Sequence, residues 1–203
     1  EVEVHVSQGL PSLTIVGLAE AAVRESKDRV RSAIINSGFQ FPTKRLTINL
    51  APADLPKDGS RLDLPIALGI LMASGQIPEH ATDQLEFIGE LALDGQLRPI
   101  TGILSIAIAC QQSGHQLILP EQNAPEASQL PQFEVFAAQH LKDVCEHLSK
   151  QQPIAQYQPQ TTTTVDQYKF DLADVKGQLR PRRALEIAAA GGQSLLFKGP
   201  PGT

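Results

Sequence analysis

The stretch Gly89-Glu90-Leu91-Ala92-Leu93-Asp94-Gly95-Gln96-Leu97-Arg98-Pro99-Ile100-Thr101-Gly102 decides the fold. Asp94-Gly95 lies between two apolar runs, and such a dipeptide reaches the positive φ angles of a tight hairpin turn. Strands are therefore expected at 87–91 and 96–100. Downstream, helical periodicity over 103–112 stops at Gly114 and gives way to a strand at 116–119. A short helix at 124–129, a strand at 133–137 and a helix at 141–149 follow. Upstream, Leu46-Thr47-Ile48-Asn49-Leu50 reads as a strand entering a polar turn over 51–60. The run 62–73 is apolar nearly all round, as a buried helix is, with Pro65 tolerated in its first turn. Alternating residues 2–7 and 12–17 flank Gln8-Gly9-Leu10-Pro11 and predict a second hairpin, followed by a helix over 20–37 that Gly38 ends. The expectation is one α/β (α+β) domain over residues 1–150.

Composition agrees with a packed domain. In 203 residues the hydrophobic fraction is 41% and the charged fraction 19%, which excludes a disordered chain. Aromatics are 4% and Trp is absent, so aliphatic side chains must fill the core. A net charge of −5 argues against a chain-wide basic surface but leaves room for a local patch. No apolar run reaches the roughly 20 residues of a membrane helix. Cys110 and Cys145 have no metal-ligand or disulfide spacing, and His5, His80, His115, His140 and His147 have no ligand spacing. We therefore expect no metal site, no membrane partner and a reducing, cytoplasmic setting.

The character of the chain changes at residue 151. Five Gln, two Pro and four consecutive Thr over 151–164 predict a flexible linker, taken to extend over 151–170. Beyond it, an Ala-rich helix over 181–190 and a strand over 194–197 lead into Gly199-Pro200-Pro201-Gly202-Thr203. A glycine loop after a strand fits the first five positions of G-x-x-x-x-G-K-[ST], whose backbone N–H groups cradle phosphates. The lysine and the Mg²⁺-holding hydroxyl of that motif would lie after Thr203. Together with the absence of an initiator Met, this leads us to expect an excised piece of a longer reading frame.

Three resemblances add to this reading. Asp174-Val175-Lys176-Gly177-Gln178, the helix Arg183-Ala184-Leu185-Glu186-Ile187-Ala188-Ala189-Ala190 and the terminal glycine loop resemble the N-terminal edge of an AAA+ ATPase. The resemblance implies that Val175, Lys176, Gly177 and Gln178 lie near the adenine, with Gly199, Pro200, Pro201, Gly202 and Thr203 as a partial phosphate loop. Pro56-Lys57-Asp58-Gly59-Ser60-Arg61 and the opening stretch at 89–102 resemble the proteolytic domain of Lon-type proteases. That implies a ribosomal protein S5 domain 2-like, Lon-type fold. Aligned to it, the family's serine nucleophile falls at Arg61 and its lysine base at Leu104. Guanidinium is no nucleophile and leucine accepts no proton, so we assign no catalytic residue.

Over nearly the whole chain, Leu13-Thr14-Ile15-Val16-Gly17-Leu18, Arg29-Val30-Arg31-Ser32-Ala33-Ile34-Ile35-Asn36-Ser37-Gly38 and Asn49-Leu50-Ala51-Pro52-Ala53-Asp54-Leu55-Pro56-Lys57 are similar to the bacterial ComM/YifB, magnesium chelatase-like family. The resemblance implies an ATP- and Mg²⁺-dependent hexameric helicase that promotes branch migration of joined DNA strands in natural transformation. Its partners would be branched or single-stranded DNA and further copies of itself. No cofactor is expected in residues 1–203 alone. A non-catalytic oligomerisation or protein-interaction module and a residual Ser/Lys peptidase are the other readings.

The helix over 20–37 carries the surface cations Arg24, Lys27, Arg29 and Arg31, with Lys44 and Arg45 shortly after; of these Arg24, Lys27, Arg31, Lys44 and Arg45 are candidate DNA-phosphate contacts. Glu20, Glu25 and Asp28 are interleaved with them and favour a solvated helix face instead. Lys57, Asp58, Arg61 and Asp63 crowd one loop and read either as an ion network or as turn chemistry, with Asp63 capping the helix that follows.

Overall fold

A computed structural model describes residues 1–19, 21–54, 57, 59–159 and 171–200. The chain divides into two compact units, Glu1–Gln160 and Thr161–Thr203.

In the first unit, alternation sets the first sheet. Leu46, Ile48 and Leu50 of β3 (Arg45–Leu50) are wholly buried, and their strand lies at the centre. β1 (Val2–Ser7) pairs with it antiparallel, Val4 opposite Ile48, and β2 (Ser12–Val16) pairs parallel, Ile15 opposite Ile48. The order is thus β1-β3-β2, and the hairpin expected between 2–7 and 12–17 does not form. A strand this apolar takes partners on both edges, and it displaces the local pairing. Ser7 and Ser12 both register with Arg45, so residues 8–11 arch over the start of β3.

Two helices cover this sheet. On α1 (Ala21–Asn36), Val23, Val30, Ala33 and Ile34 are buried, at helical spacing. α2 (Asp63–Ala73) is apolar all round, as the sequence predicts, and buries residues on every side. Gly69 lets it approach β1, because a Cβ there would lie 2.6 Å from Val4 Cγ2.

The second sheet is parallel, in the order β4-β7-β8: β4 (Leu85–Phe87), β7 (Gln116–Pro120) and β8 (Val135–Ala138). α3 (Ile103–Gln112) and α4 (Ala124–Ala127) pack against it with Ala107, Leu119 and Val135 in a second apolar cluster. The Asp94-Gly95 turn joins β5 (Glu90–Leu91) to β6 (Leu97–Arg98), the antiparallel pair that the sequence predicts. The strand expected over 87–91 is split at Gly89. Its N–H donates to the Arg61 carbonyl and its carbonyl accepts from Leu64, so the loop before α2 takes this backbone out of the ladder. α5 (Leu141–Leu148) closes the unit, with the Leu141 N–H bonded to the Gly95 carbonyl at 2.8 Å.

The described part of the expected linker, 151–159, corrects that expectation. Gln156 bridges antiparallel to Phe136 of β8, and the Tyr157 N–H donates to the Val135 carbonyl at 2.8 Å. Ile154 and Tyr157 pack on the two apolar clusters, giving this polar-looking segment two anchors.

In the second unit, Asp171 caps a short turn over Leu172–Asp174, and α6 (Leu179–Ala190) follows. Among the described residues of this unit only Ala188 is buried. The strand expected at 194–197 is not formed; strands need a hydrogen-bonded neighbour, and Leu196 is 90% exposed. Among the described residues no helix is long and apolar enough to cross a membrane.

Candidate functional site

The start of α2, β5 and the loop before α3 meet around a pocket of about 260 Å³ lined by Gly59, Ser60, Arg61, Glu90, Pro99, Ile100 and Thr101. Its far wall is fixed by Asn123. This buried amide accepts from the Ile100 N–H and donates to the Ile100 carbonyl, both at 2.9 Å, acting as a strand partner for the loop. Sequence reasoning passed over Asn123. An Asn in a 3₁₀ turn is ordinary capping chemistry, and only the tertiary contact reveals its role.

Beneath the pocket lies a buried ion pair. Asp63 is fully buried; its carboxylate accepts from Arg29 Nε at 2.8 Å and Nη2 at 3.2 Å, and from the Leu91 N–H at 3.3 Å. α1, α2 and β5 are tied through one side chain. Burial pushes the Asp63 carboxyl above its ordinary value, against the pull of the Arg29 hydrogen bonds. Those same bonds hold the Arg29 guanidinium above its own.

This corrects two expectations. Asp63 is the first residue of α2 and makes no cap; its side chain turns inward to satisfy Arg29. Arg29, grouped with the surface cations of its helix, faces the core side. The signal was in the sequence, since residue 29 falls beside the buried stripe Ser26, Val30 and Ala33. Of the other residues expected in that loop, Lys57 Nζ donates to the Pro52 carbonyl, and Asp58 lies outside the described residues.

Of the two degenerate protease positions, Arg61 lines the pocket, whereas Leu104, half-buried in the first turn of α3, does not. The Ser60 hydroxyl donates to Glu90, whose other oxygen lies 3.6 Å from Arg98. No lysine is among the seven described lining residues.

Lys27 and Arg31 fall at i and i+4 along α1 and so share a face; the Arg24 side chain lies outside the described residues. Lys27 is half-buried and Arg31 exposed, its guanidinium 5.1 Å from the centroid of the Phe41 ring. Lys44 and Arg45 are exposed at the entry to β3. Both cysteines are buried and unbridged, and burial pushes each thiol up to about 12. Among the described residues no group of three metal-ligating side chains exists.

Of the residues expected near an adenine, Val175 and Lys176 lead through Gly177 (φ 66) and Gln178 (φ 50) into α6, whose N-terminus carries no side-chain cap. Gly199 and Pro200 are exposed; Pro201, Gly202 and Thr203 lie outside the described residues.

Comparison with known proteins accounts for both units. The family described as "Subunit ChlI of Mg-chelatase" matches residues 2–123, and "Magnesium chelatase, subunit ChlI" matches residues 171–203. YifB of Escherichia coli is 48% identical over 202 residues, and the competence protein ComM of Haemophilus influenzae is 48% identical over 210. Each match covers 100% of this chain and 40% of the relative. A Lon protease of Chloroflexus aurantiacus is 31% identical over 139 residues, 64% of this chain and 16% of that protein. The chain, a mixed α/β domain continued by a segment that matches the chelatase description, belongs to the magnesium chelatase ChlI-like family, in its ComM/YifB group. The chain spans 40% of the length of those relatives.

Proposed function

We propose that this chain is the N-terminal part of an AAA+ motor that uses ATP and Mg²⁺ to drive branch migration of DNA during transformation or recombination. The observation that carries the reading is the match, over the whole of this chain, to part of a protein named for competence, with the chelatase description extending over the last 33 residues. In this reading residues 1–150 of the first unit are a ribosomal protein S5 domain 2-like, Lon-type domain. Residues 171–203 begin the ATPase, and the motor is a cytoplasmic hexamer when nucleotide is bound. Val175, Lys176, Gly177 and Gln178 would approach the adenine, and Gly199, Pro200, Pro201, Gly202 and Thr203 would supply phosphate-facing backbone N–H groups. The uncapped, exposed start of α6 fits that use of backbone donors.

The first unit then acts by binding. A positive face from Arg24, Lys27, Arg31, Lys44 and Arg45 would meet DNA phosphates, strengthened by counterion release. Arg61 and Leu104 at the protease positions, with Ser60 donating to Glu90, support a site without peptidase chemistry. The test uses the full-length protein and a forked or four-way DNA. ATP-dependent strand exchange is expected, together with no ATP turnover by the 203-residue chain alone. DNA binding that ignores ATP, with no strand exchange, would mean a scaffold. Inhibitor-sensitive cleavage of an unfolded protein would mean a surviving peptidase.

A further inference from the structure

The segment after α5 is attached by one titratable side chain. α5 ends in a turn in which Gln151 N–H donates to the Glu146 carbonyl at 2.9 Å. The chain then reverses, and the Ile154 N–H donates to His147 Nδ1 at 2.9 Å. The His147 ring also leans on Phe136 of β8, with centroids 5.5 Å apart. Two residues on, Gln156 bridges to Phe136, and the Tyr157 N–H reaches the Val135 carbonyl. Residues 153–157 therefore lie along the outer edge of a parallel sheet, held there by one antiparallel bridge.

Nδ1 accepts a hydrogen bond only while it carries no proton. Protonation would set two N–H donors against each other at the point where the segment turns onto β8. We propose that residues 153–157 are a proton-gated strap: it stays on the β8 edge while His147 is neutral, and acidification lifts it, releasing five residues, about 16 Å of extended chain.

The charged groups of this corner do not replace the gate. α5 brings Asp143 and Glu146, which line a polar pocket with Glu121, Gln152 and Ile154; Lys142 pairs with Glu146 at 3.6 Å. β8 presents Phe136, and the strap contributes no charged side chain between Pro153 and Tyr157. Lys150 precedes the strap in a turn and is exposed. Burial holds the His147 imidazole below its ordinary value. A folded-state value below the unfolded one means docking is complete above about 6.5 and is lost as the pH falls through the folded value.

The experiment is residue-resolved amide exchange on the 203-residue chain between pH 7.5 and 5, corrected for intrinsic exchange. Ile154 and Tyr157 in the unmutated chain are expected to lose protection together, by about tenfold per unit of His147 coupling, while the β7 amides of Leu117 and Leu119 stay protected. His147→Asn leaves an uncharged acceptor close to the Nδ1 position and is expected to keep both strap amides protected across the range. His147→Ala is expected to release both at every pH. The β7 amides report whether each variant is folded. Loss of protection at Ile154 alone, unchanged protection at both amides while His147 titrates, or an acid release in His147→Asn matching the unmutated chain would each overturn the proposal.

Discussion

α2 and α6 are nearly equal in length, eleven and twelve residues, yet α2 buries seven side chains and α6 one. Leu64, Ile66 and Leu71 of α2 are sealed among β1, α1 and the first sheet. Leu185 and Ile187 of α6 are 39% and 58% exposed. Helix propensity shapes both; only α2 has surroundings to pack against. The same contrast runs through their ion pairs. Arg29–Asp63 joins three elements with its carboxylate fully buried, whereas Arg183–Glu186 spans one turn of α6 in water.

The largest effect is expected from Asp63→Ala. It leaves Arg29 and the Leu91 N–H without their acceptor, and removing one partner of a buried pair costs about 3–5 kcal/mol. Urea unfolding of the 203-residue chain measures it, and a loss below about 1 kcal/mol would mean that water replaces the carboxylate. Leu71→Ala comes next, at about 3 kcal/mol from lost transfer and a residual cavity. Gly95→Ala follows at about 2 kcal/mol. Its backbone has φ 94, and a Cβ there would lie 2.4 Å from Ser37 Oγ and 2.6 Å from His140 Cε1. Ile187→Ala and Glu186→Ala are expected to change stability by less than about 0.5 kcal/mol. A cost for Ile187→Ala approaching that of Leu71→Ala would erase the difference between the two helices.

That difference also sorts what could be read from the sequence. Where residues carry their own reason for structure, expectation and finding agree closely. The all-apolar α2, the helix over 103–112 and the Asp94-Gly95 turn are cases. Expectation failed where the deciding partner lies far along the chain. Alternation in 2–7 and 12–17 announces half-buried strands but says nothing of which neighbour they take, and β3 takes both. Residues 194–197 have the composition of a strand without a partner strand among the described residues. Polar composition over 151–159 hid Ile154 and Tyr157, two anchors sufficient to dock the segment. At the pocket, Arg61, a lining residue, was singled out by its place in the run 56–61. The Arg29–Asp63 pair and the Asn123 clamp were not, because each joins elements separated by more than 20 residues.

The central position of β3 has a consequence for the growing chain. Residues 2–16 leave the ribosome as two apolar strands joined by a four-residue connection, the arrangement most ready to zip into a hairpin. The native sheet forbids that zip, because Val2 must pair with Leu50, a residue made much later. Any early hairpin has to reopen before β3 can be inserted, which exposes unpaired edges during translation. Translation through residue 50 thus sets the earliest moment at which this sheet exists, and a pause just before it would prolong the interval in which the nascent chain recruits a chaperone or aggregates.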